Sequence, residues 1–236
     1  MSRTGFGAIL GLGLLASVNA SALPANETDL PNGVGQTTSL TVAYGTSSWV
    51  VTFNPIANLN SCAVDSQGNN CSGILATGTV DTHGNLSVVF TESGGILSSA
   101  SVTADDLSVF ETVQAPTGDK ILSASLTVTG TATGTGVDSG SEYVAVNGGG
   151  LPGAVLGTAS VSLVSPKTSV TSLTGVSTTP NSIFVTKDIG AAGGTSGTAS
   201  VTTVTQVFNV PEPASMSVLG MGIIGIAGLR RRRARG

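Results

Sequence analysis

Few residues of this chain are of the types that carry out catalysis. His83 is the only histidine, so any Ser-His-Asp arrangement would have to use it. No serine lies in a G-x-S-x-G turn, and neither Ser-x-x-Lys nor H-E-x-x-H occurs. The adjacent acids Asp105 and Asp106 would point to opposite faces of a strand. We therefore predict no catalytic residues and no enzyme activity, although acids distant in sequence could still meet as a glycosidase pair.

Candidates for metal binding and for cross-linking are equally few. Asp81 and His83 could hold a cation, but the stretch 81–85 is more typical of a hairpin loop. Cys62 and Cys71 are the only cysteines. In an exported chain, an even pair at this short spacing predicts a disulfide, which would contribute about 2–3 kcal/mol in the chain-entropy model. A metal site would need more soft ligands nearby, so we predict no metal and no cofactor.

The last stretch, residues 210–236, has three parts in a fixed order. Pro211-Glu212-Pro213 is stiff and extended, because each proline fixes φ and disfavours helix in the residue before it. Residues 214–229 carry no charge and predict a transmembrane helix of about 24 Å, somewhat short of a bilayer core of about 30 Å. A positive cluster follows, which would stop transfer and stay cytoplasmic. Its members are Arg230, Arg231, Arg232, Arg233 and Arg235.

These three parts together resemble the bacterial PEP-CTERM sorting signal, which is also catalogued as the ice-binding protein C-terminal domain. The resemblance rests on Pro211-Glu212-Pro213, the glycine-rich segment ending at Leu229 and the arginine cluster, about 26 of 236 residues. It implies that the tail is an address read by exosortase, a membrane protease that removes it and releases or attaches the body. The alternative is an ordinary single-pass anchor or a buried helix. The resemblance says nothing about what the body binds.

The N-terminal end predicts a secretory signal peptide at residues 1–22. Arg3 precedes an apolar run from Phe6 to Val18, and cleavage sites of the A-x-A type follow at Ala20 and Ala22. The alternative, a short N-terminal anchor helix, is disfavoured by the length of the run and by the polar residues after it. The chain thus divides into a signal peptide (1–22), an exported body (23–209) and a sorting signal (210–236).

The exported body is more acidic than the whole chain, whose net charge is −4. Between Leu23 and Val210 it has three lysines, no arginine and twelve acidic residues, a net charge of −9. That charge argues against nucleic acid or anionic polymers as partners. Charged and aromatic residues are few, whereas small and β-branched residues are abundant. The body should therefore fold around an aliphatic core.

The body predicts a mainly β fold, an antiparallel sandwich of about ten to twelve short strands. No body segment has a sustained apolar period of about 3.6 residues, so the helices expected are the N-terminal signal helix and transmembrane helix 214–229. Residues 23–36 predict an N-terminal leader, and the glycine-rich stretch 147–153 is either a loop or a hinge between two domains. The predicted strands are 39–44, 49–53, 74–80, 86–91, 99–103, 107–113, 121–129, 143–146, 155–164, 182–186 and 198–208.

Residues 127–135 alternate threonine with small residues. On a strand, the threonines would line one face about 6.8 Å apart and present methyls and hydroxyls to an ordered surface such as ice or polysaccharide. The alternative is a solvent-facing strand or a flexible Gly/Thr segment. Because one narrow row containing two glycines is poorly pre-organised, we predict that it does not bind ice. The threonines are Thr127, Thr129, Thr131, Thr133 and Thr135.

Together these features predict an exported cell-surface or extracellular-matrix protein with no catalysis of its own. Its precursor would sit in the inner membrane, and its mature form would be at the cell surface or outside the cell. Expected partners are the secretion translocon, an exosortase-like membrane protease and, as a candidate, exopolysaccharide; nucleic acid is not expected. The alternatives are a surface module that binds glycan or another ordered surface and, third, an extracellular hydrolase.

Overall fold

The computed structural model describes residues 26–31, 36–54, 71, 73–147, 152–164, 169–172 and 180–211. Within these ranges the chain forms thirteen strands and no helix. In chain order the strands are β1 (Asn26–Asp29), β2 (Thr38–Tyr44), β3 (Ser47–Phe53), β4 (Leu75–Val80), β5 (Leu86–Thr91), β6 (Leu97–Ser99), β7 (Ala104–Gln114), β8 (Ser123–Thr133), β9 (Val137–Asn147), β10 (Pro152–Val164), β11 (Ser169–Ser172), β12 (Ser182–Ala192) and β13 (Thr198–Asn209).

The strands form two antiparallel sheets. The first has seven strands in the order β1-β4-β5-β13-β8-β11, with β6 paired to the start of β13. The second has six strands in the order β10-β9-β12-β7-β3-β2. The predicted mainly β fold is thereby confirmed for the described part of the chain.

Alternation of buried and partly exposed residues explains how each strand faces the core. In β5, Leu86, Val88 and Phe90 are buried, whereas the residues between them are partly exposed. The buried faces of both sheets contribute to one hydrophobic cluster. Trp49 of β3 packs against Phe208 of β13, with ring centroids 6.4 Å apart. The two sheets therefore face each other across a shared core.

Glycine at two inward positions lets the facing sheets approach closely. A Cβ atom at Gly78 of β4 would lie 2.5 Å from Val42 Cγ2, and one at Gly140 of β9 would lie 2.7 Å from Val128 Cγ2. Both separations are below van der Waals contact, so a side chain at either position would force buried neighbours to shift.

The predicted hairpin loop at 81–85 is confirmed between β4 and β5. Asp81 Oδ1 accepts hydrogen bonds from the backbone amides of His83 at 2.8 Å and Asn85 at 2.9 Å, which closes the loop. Trp49 Nε1 donates to the Gly84 carbonyl at 2.9 Å. The loop is thus fixed both by its own turn and by the core.

The described residues form thirteen strands rather than the ten to twelve predicted. Strands β9 and β12 are each eleven residues long, more than twice the length of the predicted strands 143–146 and 182–186. Three further details differ from the sequence predictions. The segment predicted as a leader contains β1, which pairs with β4 at the edge of the first sheet. The predicted strand 99–103 is wrong beyond Ser99, because the Ser99 hydroxyl donates to the Thr103 carbonyl at 2.6 Å and residues 101–102 form a turn. Strand β11, which pairs with β8, was not predicted.

Candidate functional site

The described chain leaves the body from β13, a strand that is paired on both sides. Its last residue, Asn209, donates a side-chain hydrogen bond to Ser123 Oγ at 2.8 Å. The next amide, that of Val210, donates to Asn85 Oδ1 at 3.1 Å, and the Val210 side chain is buried. Pro211 is exposed. Pro211, the first residue of the predicted extended segment, is therefore at the surface, two positions after the end of a central strand.

Four polar side chains, which we call the buried cluster, lie between the two sheets. Glu111, Glu142, Lys187 and Gln206 are each at most 2% exposed. On the inner face of the six-stranded sheet, Glu142 of β9 is directly opposite Lys187 of β12. Glu111 of β7 is opposite Val185, which places it diagonally from Lys187 on the other side. Gln206 belongs to β13 of the facing sheet.

The contacts of the buried cluster leave most of its polar atoms unpaired. Lys187 Nζ donates a hydrogen bond to Glu111 Oε1 and lies 5.4 Å from the centre of the Phe90 ring on the facing sheet. Among the described residues, no partner makes a hydrogen bond of good geometry with Glu111 Oε2, with either carboxylate oxygen of Glu142, or with either polar side-chain atom of Gln206, although the Gln206 amide is near enough to Glu142 to lower its pKa. Unpaired buried polar atoms are costly and uncommon in native cores. The cluster therefore needs an explanation beyond packing.

The carboxyl of Glu142 is poised between its two protonation states. Burial is the largest influence and raises its pKa to about 7. The positive charge of Lys187 and the amide of Gln206 lower the pKa, whereas the negative charge of Glu111 raises it. Near neutral pH such a carboxyl can both give and accept a proton. Strong perturbation by burial and specific partners is typical of functional sites.

The outer side of the seven-stranded sheet is a second feature, which we call the threonine face. It consists of the outward residues of β4, β5, β13 and β8, none of which is charged. The acidic residues Glu27 and Asp29 lie beyond it, on edge strand β1. The threonine face comprises Leu75, Thr77, Thr79, Ser87, Val89, Thr91, Ser123, Ser125, Thr127, Thr129, Thr131, Thr133, Thr198, Ser200, Thr202, Thr203, Thr205, Val207 and Asn209.

The predicted threonine row on β8 is confirmed as far as Thr133, where the strand ends, and Thr135 lies in the turn that follows. Neighbouring strands extend the row sideways in register. Thr129 is opposite Thr203 of β13, which is opposite Thr91 of β5. Side chains should therefore repeat about every 4.8 Å across the strands and 6.8 Å along them. The row is therefore one of several, whereas the prediction that it does not bind ice rests on a single narrow row.

The tail that leaves β13 is similar to a known sorting signal. Residues 209–233 match the family model described as the PEP-CTERM protein-sorting motif. The chain carries a PEP-CTERM motif. The predicted resemblance is confirmed, and the motif begins at Asn209, the last residue of β13. No curated protein matches the chain, so its body has no recognised family.

Most residues predicted to serve in sorting, membrane insertion, signal-peptide cleavage or the disulfide lie outside the described ranges. Pro211 is described and exposed, and Cys71 is described and fully buried. Among the residues that the structure describes, none belongs to a helix long and apolar enough to span a membrane. The signal peptide, the membrane helix and the disulfide therefore stay predictions. The residues outside the description are Ala20, Ala22, Cys62, Glu212, Pro213, helix 214–229, Arg230, Arg231, Arg232, Arg233 and Arg235.

Asp105 and Asp106 point to opposite faces of β7, whereas Asp106 and Asp188 contact each other. Asp105 points into the core and Asp106 points outward, as predicted for neighbours on a strand. Asp106 instead meets Asp188 of β12: burial, a hydrogen bond with Asp188 and its negative charge raise the pKa of Asp106 to about 6. Carboxyls in direct hydrogen-bond contact are closer than the roughly 5–9 Å of glycosidase pairs. Within the described ranges, no group of three His, Cys, Asp or Glu residues is placed to hold a metal ion.

Proposed function

We propose that this chain is an exported cell-surface or extracellular-matrix protein whose two-sheet body is delivered, without catalytic activity of its own, by its PEP-CTERM tail. The observation that carries the proposal is the match of residues 209–233 to the sorting motif. The secretion translocon would export the body after removal of residues 1–22, and helix 214–229 would hold the precursor in the inner membrane. An exosortase-like protease would then cut the tail and pass the body to the cell surface.

The way the tail joins the body supports this processing. Val210 is anchored to the β4–β5 loop through Asn85, and Pro211 is exposed. The segment 211–213 would lie just outside the membrane, where two prolines favour the extended form that proteases bind. A cut near Pro213 leaves every strand of the body intact, because β13 ends at Asn209.

Replacement of the motif by alanines tests whether the tail is read as an address. In a host with the sorting protease, the variant with Pro211, Glu212 and Pro213 all changed to Ala should accumulate uncut in the inner membrane. The matched control carries Ser215→Ala and Ser217→Ala, which alter the same region but keep the motif, and it should be processed normally. Normal processing of the triple alanine variant would show that the motif is not the signal.

A second candidate function for the body is binding to a neutral, ordered polysaccharide through the threonine face. The specific support is an uncharged hydroxyl and methyl array on four adjacent, paired strands. An array held by paired strands is pre-organised, so that little side-chain entropy would be lost on binding. Its lack of aromatic rings distinguishes it from sites that stack sugars, and it suits a regular solid surface better than a single chain.

One substitution and its control separate this candidate from a body that binds nothing. Thr205→Lys would put a long, charged side chain at the centre of the threonine face, whereas Thr112→Lys would do the same on the outer face of the other sheet. Sedimentation with insoluble cellulose or chitin should be lost in the first variant and kept in the second. Equal behaviour of both variants, or no sedimentation of the unmodified protein, would refute the candidate.

An extracellular hydrolase is the least favoured candidate. The acidic pair available on the outer surface of the described body is Asp106 with Asp188, and these carboxyls contact each other rather than flank a space for substrate. Hydrolysis of a glycan panel that disappears with Asp188→Asn would overturn the proposal that the body is not an enzyme.

A further inference from the structure

The buried cluster combines an amine, a carboxyl and a second carboxyl in a water-poor core. We propose that Lys187 Nζ and the Glu111 carboxyl condense into an isopeptide bond inside the folded body, with Glu142 as the proton relay. The bond would join β12 to β7, two neighbouring central strands of the six-stranded sheet.

The first support is the placement of the reacting groups. Lys187 Nζ is already in hydrogen-bond contact with Glu111 Oε1, and both side chains are fully buried. Two groups held in contact in this way react with a large effective concentration, because little translational freedom remains to be lost. Residues 76 positions apart in the chain are brought together by an eleven-residue ladder between β7 and β12, which fixes their separation.

The second support is the position of Glu142. It is directly opposite Lys187 on β9, so its carboxyl shares the inner face with the amine. Directly opposite residues of antiparallel strands have Cβ atoms about 4.5–5.5 Å apart, within reach of a proton transfer between long side chains. Neither oxygen of Glu142 makes a hydrogen bond of good geometry with a described residue, and the Lys187 ammonium and the Gln206 amide are near enough to lower its pKa.

The third support is that the unreacted cluster leaves buried polar atoms without good hydrogen bonds. A buried ion pair is tolerated when its remaining polar atoms are hydrogen-bonded, but Glu111 Oε2 and Gln206 have no such partner. Condensation removes both charges and one carboxylate oxygen from the core. The product amide has one N–H and one C=O, for which Glu142 and Gln206 are suitable partners. Bond formation thus removes a buried ion pair and an unpaired carboxylate oxygen from the core.

The covalent step balances without any added reagent. Transfer of a proton from the ammonium of Lys187 to the carboxylate of Glu111 gives a neutral amine and a carboxylic acid. The nitrogen lone pair forms a bond to Glu111 Cδ, and Glu142 accepts the proton that the nitrogen loses. Glu142 then donates this proton to the departing hydroxyl, the C–O bond breaks, and water leaves. One ammonium and one carboxylate become one secondary amide and one water.

Two further features suit this step. Burial raises the pKa of Glu142 to about 7, so the relay can accept and return a proton near neutral pH. Phe90 covers the amine from the facing sheet, 5.4 Å from Nζ to the ring centre, and the surrounding inward residues Val109, Val185 and Ile189 are buried. Exclusion of bulk water favours condensation over hydrolysis of the product.

Mass spectrometry of the full-length chain tests the proposal. We expect the reduced, denatured protein to be lighter than its sequence requires by one water. Trypsin should fail to cut after Lys187, and a peptide from β7 should be found joined to one from β12. Lys187→Arg keeps a positive charge but cannot form this bond, and it should have the mass that its sequence requires. A sequence-equivalent mass for the unmodified protein, with normal cleavage after Lys187, would overturn the proposal.

Two isosteric variants test the chemistry and the relay. Glu111→Gln should either remain unlinked or link with loss of ammonia in place of water, a mass change that identifies the carbonyl attacked. Glu142→Gln preserves the shape of the cluster but cannot accept the proton, and we expect it to remain unlinked while still folded, as judged by burial of Trp49. Complete linkage of Glu142→Gln at the rate of the unmodified protein would refute the role of Glu142.

Discussion

Stability of the body should fall as pH rises through neutrality, and Glu142 should be responsible for much of the change. Its pKa is raised from 4.5 to about 7 in the folded chain, mainly by burial. Between these two values the folded state binds more protons than the unfolded state. The free energy of unfolding must therefore decrease with pH over this window and level off above about pH 8. Formation of a Lys187–Glu111 bond would leave the burial of Glu142 in place, so the direction would not change.

The size of the effect follows from the same values. Each unit by which the folded and unfolded pKa values differ corresponds to about 1.4 kcal/mol in the free energy of unfolding. The free energy of unfolding is therefore about 3 kcal/mol larger with Glu142 fully protonated than with Glu142 ionised. Because the group is still almost fully protonated at about pH 5 and ionised at about pH 8, about 2–3 kcal/mol should be lost between these conditions. That is a large share of the 5–15 kcal/mol typical of domains.

Chemical denaturation at constant ionic strength measures this loss, with Trp49 as the probe because it is the only tryptophan and is fully buried. The matched variant is Glu142→Gln, which cannot ionise. Both proteins are compared in a Lys187→Arg background, in which neither can form the Lys187–Glu111 bond. Asp106 and Asp138, whose pKa values are also raised to about 6, then contribute the same dependence to both proteins, so the difference in slope isolates Glu142. Equal slopes in the two proteins would refute the assignment of Glu142 as a buried, titrating carboxyl.

Three further predictions concern other parts of the chain. Gly78→Val should lower the free energy of unfolding by about 1–3 kcal/mol by overpacking the contact between sheets; an unchanged denaturation midpoint would contradict the packing described. Cys62 and Cys71 should be linked in exported material, seen as joined peptides without reduction, whereas two free thiols would refute the disulfide. The purified body should show no thermal hysteresis, because the strands that carry the threonine rows twist relative to one another and do not form a flat array; a strong effect that vanished with Thr131→Ala and Thr133→Ala would prove the threonine row to be an ice-binding site.

Local patterns in the sequence were sufficient for most strands and for the tail. Alternation of apolar and polar residues marked β5 at its full length, and turn-forming residues marked the loop 81–85 between β4 and β5. The order of prolines, apolar segment and arginines predicted the sorting motif that the family match confirms. These features depend on residues close together in the chain, which is why they could be read directly.

The buried cluster was missed although part of its signal is local. Every second residue of β12 lies on the same face of the strand. Three of these residues, Ile183, Val185 and Ile189, are apolar and buried, and the same spacing places Lys187 on the buried face. The sequence contains no comparable sign that Glu111 is its partner. That pairing depends on the register between β7 and β12, which is set by tertiary packing.

The extent of the threonine face could not be predicted for a related reason. Strand β13 lies between β5 and β8, so strands distant in sequence supply adjacent rows. Periodicity identifies the outward residues of one strand but does not give the order of strands in a sheet. Only the strand order shows that Thr203 joins Thr91 to Thr129 in one line.

The mass of the C-terminal peptide from surface-exposed protein tests the central claim most directly. If the tail is a sorting signal that is removed, this peptide should end near Pro213 in a host that has the sorting protease. The uncut form should fractionate with the inner membrane in a host that lacks it. A fully processed surface protein that still carries Arg233 would show that the segment is an ordinary anchor and would contradict the account.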